Sequence, residues 1–493
     1  MPIIAMDAQS LRSTIKTCRD LMRKDEGLSS DVERLPQFSW MLFLKCLSDH
    51  EIKREKKSKN YQRILPKDLR WENWTDKKTI SDPNLISFVN GKLFPGLASL
   101  NGKVPSSQKE HIATMFKGFS NRVESPTILR EIIEKIATLS FASSDDIHTM
   151  AKMYEDMLIE MKDAAGQNGE FYTPRPVIRF IVSMTNPSFK KGERVLDPAC
   201  GTGGFLAESL SFMGKEAKTT SEQKKLYSQT LYGIEKKPLP YLLGMMNLIL
   251  HEIEDPNIAR ENTLAKPFKE ITEKFDVIIT NPPFGGQEES VIAKSLPEGF
   301  QTSDTALAFL LYIMESLEKN GRCGIILPNG PLFAGGIAAK IKQRLLEEFN
   351  LHTIIRMPET VFEPYTTIAT NILFFDKTKP TKEIWYYQMK VSERLRGVTR
   401  AKNPKYTKTT PIAYEDFAEI EKWFKNKKEN QNAWKVSVDE IKEYNLDVKN
   451  PSDKEETIDL APHELIDNIL KDEEKTLKLL QEVKDLIRKE IPK

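Results

Sequence analysis

The spacing of apolar residues divides the chain into three stretches. From residue 1 to about 140, apolar residues recur at three- and four-residue intervals, as in LRSTIKTCRDLMR and ILREIIEKIATL. This is the pattern of amphipathic helices. Within the stretch, FSWMLFLKCLSD (38–49) is too apolar for a surface helix and predicts a core helix. ASSDD (142–146) reads as a cap and boundary before the helix DIHTMAKMYEDMLIEMK. From about 165 to 390 the short apolar runs RVLD, LYGIE, FDVIIT, CGIILP, TIIRMP, NILFF and IWYYQM alternate with helical ones such as LPYLLGMMNLILHEI. That alternation predicts an α/β fold with a doubly wound, mostly parallel sheet. No helix fits between NILFFDK and EIWYYQM, so an antiparallel hairpin at the sheet edge is expected there.

The remaining segments carry weaker patterns. KEAKTTSEQKKLYSQT (215–230) reads as a surface insertion or a long helix end. Residues 391–450 are polar and basic. From Pro462 a charged helix carries an imperfect apolar stripe: Leu465, Ile466, Ile469, Leu480, Val483 and Ile487, interrupted by Glu473 and Thr476. The expected domains are therefore 1–145 (helical), 146–390 (α/β, catalytic) and 391–493 (an extension ending in a helix).

Composition narrows the function classes. The 493 residues are 39% hydrophobic and 29% charged, the balance of a globular protein, and no apolar run approaches the length of a membrane span. The N-terminus lacks the basic segment and apolar core of a signal peptide, so a cytoplasmic location is expected. Four scattered cysteines and six scattered histidines show no metal-ligand spacing, and no metal is expected. A net charge of +2 excludes a strongly basic nucleic-acid binder and leaves phosphate contacts to a local surface or a partner.

Two segments carry chemistry. VLDPACGTGGF (195–205) is a strand, a Gly-rich turn and a helix start. Gly201, Gly203 and Gly204 let the backbone approach a ligand, and exposed N–H groups at the helix start favour an anion. A nicotinamide site needs a third glycine where Phe205 and Leu206 stand, and a P-loop needs a Gly-Lys-Ser/Thr that is absent. Asp197 ends one strand at the crevice where doubly wound sheets bind ligands, and Glu235 ends another, placed to accept the hydroxyls of a ribose.

The second segment is FDVIITNPPFG (275–285). An apolar strand delivers Asn281, Pro282, Pro283 and Phe284 to its carboxyl end. Two prolines stiffen the backbone and remove two donors. What remains is the side-chain carbonyl of Asn281, the backbone carbonyl of Pro282 and the flat face of Phe284. Two acceptors suit an exocyclic amine such as that of adenine, a poor nucleophile because its lone pair is delocalised into the ring. They help the nitrogen become tetrahedral and stabilise the positive charge it develops in attacking a sulfonium methyl. Such a base must leave its duplex first, and stacking on Phe284 offsets part of that cost.

Together these segments resemble the gamma group of amino-methyltransferases, in which the cofactor segments precede the catalytic one. GEFYTPRPVIRFIV (169–182) is similar to the segment before the Gly-rich loop in that group. The resemblance implies S-adenosyl-L-methionine as cofactor and a Rossmann-like methyltransferase sheet. It places Tyr172, Thr173 and Pro174 on the methionine part, with Glu170 and Phe171 beside them. Asp197, Pro198, Gly201, Thr202, Gly203 and Gly204 then line the same pocket, Glu235 holds the ribose, and Asn262 of ENTL (261–264) reaches the cofactor's adenine. Asn281-Pro282-Pro283-Phe284 matches the catalytic tetrapeptide in its adenine-N6 form.

FLKCLSD with its flanking helices, AGQNGEFYTPRPV, and YNLDVKNP (444–451) resemble in particular the modification subunits of type I restriction–modification systems. No segment of this chain reads as a base-reading module. The resemblance assigns that task to a specificity subunit carrying two modification subunits on double-stranded DNA, with a restriction subunit joining for cleavage, and gives the tail helix a docking role. The basic stretch 391–408 is a candidate phosphate-facing surface, beside the plainer reading of a solvated loop. Two other readings stay open: an enzyme that methylates a protein glutamine amide, and a scaffold that binds the cofactor without catalysis.

Overall fold

The computed structural model describes residues 8–57, 60–100, 108–139, 141, 173–251, 253, 255–363, 368–395, 405–407, 409–453, 470, 471, 473, 476, 477 and 481. Glu170, Phe171, Tyr172, most of 391–408 and most of the tail helix lie outside them. Two contact units divide the chain, Met1–Val448 and Lys449–Lys493. In the second, a turn closes from the amide of Asp453 to the carbonyl of Asn450, and Leu470 and Leu477 are exposed.

Up to residue 139 the described elements are all helical. The apolar run 38–49 lies inside the helix Asp31–Lys57 as expected, with Phe38, Trp40, Met41, Leu42, Phe43, Leu44 and Cys46 buried. Trp40 packs edge-on against Phe94 at 5.0 Å and donates to Gln37 Oε1, so its polar edge is satisfied inside the core. The helix Pro126–Ala137 shows the local logic. Ser125 caps it, Pro126 takes the first turn where no N–H is needed, and Leu129, Ile132, Ile133 and Ile136 form its buried stripe.

Nine described strands form one sheet: β1 (Val195–Asp197), β2 (Leu231–Ile234), β3 (Ile258–Ala259), β4 (Phe275–Thr280), β5 (Leu317–Pro328), β6 (Asn350–Arg356), β7 (Thr370–Asp376), β8 (Glu383–Gln388) and β9 (Ala433–Ser437). Their order is β3-β2-β1-β4-β5-β7-β6-β8-β9, with β1 to β5 parallel. Successive residues serve opposite faces. Val195, Val277 and Ile279 join the core beneath the helices Arg175–Thr185, Gly204–Met213 and Pro238–Leu250. Leu196, Ile278 and Ile325 join a second core under Thr305–Ser316 and Ile337–Glu348.

The expected edge hairpin does not exist. β7 lies between β5 and β6, antiparallel to both, and β8 pairs parallel with β6. The physical reason lies in the sequence: Thr370 to Phe375 are buried on both faces, which suits a central strand and not an edge. The boundary expected at 390 also falls inside the sheet-forming part, because β9 pairs antiparallel with β8. The segment 215–230 folds as the helix Thr220–Gln229, started by a capping box of Thr219 and Glu222.

The N-terminal helices close the β3 end of the sheet. Arg260, directly after β3, donates to the carbonyls of Thr114 and Lys117 at 2.8 and 2.6 Å, and His111 Nδ1 lies 2.6 Å from Asp255 Oδ1.

Candidate active site

The strand order reverses between β1 and β4, and a doubly wound sheet binds ligands outside such a reversal. β2, β1 and β4 are parallel neighbours, so Glu235, Asp197 and Asn281 follow or end their strands on one edge of the sheet.

The Gly-rich turn is built by close backbone contact. Gly203 has φ +75°, in the left-handed region, and starts the helix Gly204–Met213. A Cβ on Gly244, from the helix Pro238–Leu250, would lie 2.8 Å from the carbonyl oxygen of Gly201, so only glycine permits this approach. Asn247, fully buried on the same helix, donates to the carbonyl of Thr202 at 2.9 Å. Arg175 Nη1 donates to the carbonyl of Gly204 at 3.1 Å, and Thr263 Oγ1 donates to that of Pro198 at 2.5 Å. The turn is thus held from three sides, and Cys200 is buried as a packing residue within it.

The two carboxylates brace this turn. Asp197 is 1% exposed; its Oδ1 accepts from Thr280 Oγ1 at 2.7 Å and from the amide of Ala199. Burial, with the charge of Glu235, pushes its carboxyl up to about 7 against the lowering effect of those two hydrogen bonds. Glu235 accepts from the amide of Gly201 at 3.0 Å through Oε2 and from that of Lys237 at 2.7 Å through Oε1. Burial raises its carboxyl too, opposed by these amides. Each Glu235 oxygen keeps lone-pair capacity for a hydroxyl. Asn262 lies at the end of the β3 loop, where its side chain accepts from the amide of Leu264 at 3.1 Å and caps a short 3-10 turn.

At the end of β4 the amide of Asn281 is oriented by one bond. Its Nδ2 donates to Thr173 Oγ1 at 3.0 Å, and its Oδ1 is buried with no hydrogen-bond partner among the described residues. Buried polar atoms are rarely left so, because each costs about 1–3 kcal/mol. Pro282 is buried and Pro283 half-buried. The ring of Phe284 is half-buried and meets Phe362 edge to face at 5.8 Å.

Sequence reasoning missed Thr280, the bridge from β4 to Asp197, although it directly precedes the tetrapeptide. It also missed the orienting contact of Thr173 on Asn281, which joins positions too far apart for any local pattern. Glu288 was missed as well: it is nearly buried four residues past Phe284, with its Oε2 4.0 Å from Lys236 Nζ.

The N-6 DNA methylase family pattern matches residues 145–459, and the HsdM N-terminal domain pattern matches residues 11–136. The chain belongs to the N-6 DNA methylases. Within that family it is similar to the type I restriction enzyme EcoEI methylase subunit of Escherichia coli, 43% identical over 469 residues and 93% of each chain. To the EcoKI methylase subunit of Escherichia coli (strain K12) it is 27% identical over 436 residues, 83% of this chain and 74% of that one. A solved chain from work on complex assembly and conformational transition of the type I R-M system superposes with a TM-score of 0.82 at 35% identity, covering 99% of this chain and 100% of that one. The chain is thus a type I methylase subunit, an adenine-specific DNA methyltransferase using S-adenosylmethionine. These relatives support neither a protein glutamine-amide enzyme nor a non-catalytic scaffold. Among the described residues no group of side chains could hold a metal ion, and no helix is long and apolar enough to cross a membrane.

Proposed function

We propose that Asn281, Pro282, Pro283 and Phe284 carry methyl transfer to N6 of an adenine extruded from duplex DNA. The observation that carries this reading is the orphaned, buried Oδ1 of Asn281 beside an amide nitrogen already fixed by Thr173. Oδ1 takes one hydrogen of the exocyclic amine and the Pro282 carbonyl takes the other. The buried setting strengthens both contacts as positive charge grows on the nitrogen. Phe284 stacks on the extruded ring. S-adenosylmethionine supplies an activated methyl on a cationic sulfur. The turn held by Gly244 and Asn247 fits its binding, with Asp197, Pro198, Gly201, Thr202, Gly203 and Gly204 lining the pocket. Thr173 and Pro174 sit on the methionine side together with Glu170, Phe171 and Tyr172, Glu235 holds the ribose, and Asn262 reaches the adenine of the cofactor.

The domains divide the work. The N-terminal domain, 1–145, flanks the catalytic part, which runs from 146 through β9, and the tail docks on a specificity subunit that reads the sequence. Two copies of the chain serve one specificity subunit in the cytoplasm, and a restriction subunit joins for cleavage.

The test is reconstitution. The purified chain is expected to bind S-adenosylmethionine but to methylate DNA poorly, and a specificity subunit to restore adenine methylation at one defined sequence. Site-specific methylation by the chain alone would overturn the delegated-recognition reading.

A further inference from the structure

β5 ends at Pro328 and leads into the short helix Asn329–Phe333. Because β5 runs parallel to β4, with Thr280 opposite Ile325, this exit lies on the same sheet edge as Asn281. Phe333 is 56% exposed there. A lone exposed apolar side chain is ordinary. What sets this one apart is how its backbone is held.

Lys342, on the helix Ile337–Glu348, is 2% exposed, and its Nζ donates to the carbonyls of Leu332 and Ala334 at 2.5 and 2.9 Å. These carbonyls flank Phe333 on either side. The amide of Leu446 donates to the Leu332 carbonyl as well, at 3.0 Å, and the amide of Asn329 donates to the carbonyl of Ala369 at 2.9 Å. Burying an ammonium is costly unless strong contacts compensate it. Burial lowers the Lys342 amine to about 8. A buried cation that holds two carbonyls makes the loop stiff, and the stiff loop keeps an aromatic ring in solvent.

We propose that Phe333 packs against the base stack of the bound duplex, in the gap left by the extruded adenine. This rests on the reading that this edge receives such an adenine. Extrusion unpairs a base and exposes the faces of its neighbours, and apolar side chains act as wedges between base steps. A ring whose flanking carbonyls are held suits that task, since little backbone freedom remains to be lost on contact. Among the described residues, Phe333 with the partly exposed Ile368 is far too little apolar surface for a protein interface of about 800 Å² per partner.

The test uses the full chain reconstituted with a specificity subunit. Phe333→Ala is expected to lower kcat/KM for DNA about 10- to 100-fold and to reduce the fluorescence of 2-aminopurine placed at the target position. Phe333→Trp is expected to retain both, and a mismatch opposite the target adenine to rescue Phe333→Ala, because extrusion is then easier. The affinity for S-adenosylhomocysteine should not move. Unchanged methylation and fluorescence would overturn the proposal. So would failure of Phe333→Ala to assemble with the specificity subunit, which would make the ring a protein contact. If the parent complex neither methylates nor brightens 2-aminopurine, the underlying reading of the site fails instead.

Discussion

Replacing Asn281 by alanine separates stability from catalysis. In the free protein its Oδ1 is buried without a partner among the described residues, a burden of about 1–3 kcal/mol that the substitution removes. The same change loses the Nδ2 bond to Thr173, a net contribution of about 1 kcal/mol. The balance is near zero or favours the variant, so Tm is expected to hold or to rise slightly. The reaction responds in the opposite direction. Loss of one preorganised partner to developing charge costs roughly 2.7–4 kcal/mol, a fall of about 10²- to 10³-fold in kcat. Single-turnover methylation at saturating cofactor and DNA, beside thermal unfolding of the same preparations, measures both. An unchanged kcat refutes the assignment of the acceptor. A Tm that collapses along with the activity refutes the claim that the oxygen is held at a cost to the fold.

Two further outcomes follow from the cofactor turn. Gly244→Ala drives a methyl into the carbonyl of Gly201 and is expected to destabilise by about 1–3 kcal/mol and to weaken S-adenosylhomocysteine binding in calorimetry; unaltered affinity would show that the turn does not shape the pocket. Asp197 titrates at about 7 in the folded chain against about 3.9 when unfolded. The native state therefore binds more protons between those values, so the contribution of Asp197 is complete below about pH 4 and lost as pH rises through about 7. Tm measured across that window should fall more steeply for the parent than for Asp197→Asn, and parallel curves would contradict it.

The two chemical segments were legible in the sequence because each is local. A strand followed by glycines, or by Asn-Pro-Pro-Phe, fixes its own backbone, and a parallel sheet then brings both to one edge. The core helix over 38–49 was legible because the run is too apolar for a surface helix, whereas its extension to Asp31–Lys57 appears only in the structure. The place of β7 was not read correctly, since it depends on pairing with β5 and β6. Yet the unbroken apolar run of Ile372 to Phe375 already argued for burial on both faces. Thr173 and Asn281 meet only through the fold, and the pinning of Phe333 by Lys342 needs the turn between them.

The insertion of β7 between two earlier strands has a consequence for synthesis. Until residue 376 has left the ribosome, β5 and β6 each present an unpaired edge where β7 will lie. Unpaired edges invite pairing with other chains. Nascent or truncated chains ending between about 356 and 370 are therefore the aggregation-prone species, and the middle of the sheet closes only after its last central strand emerges.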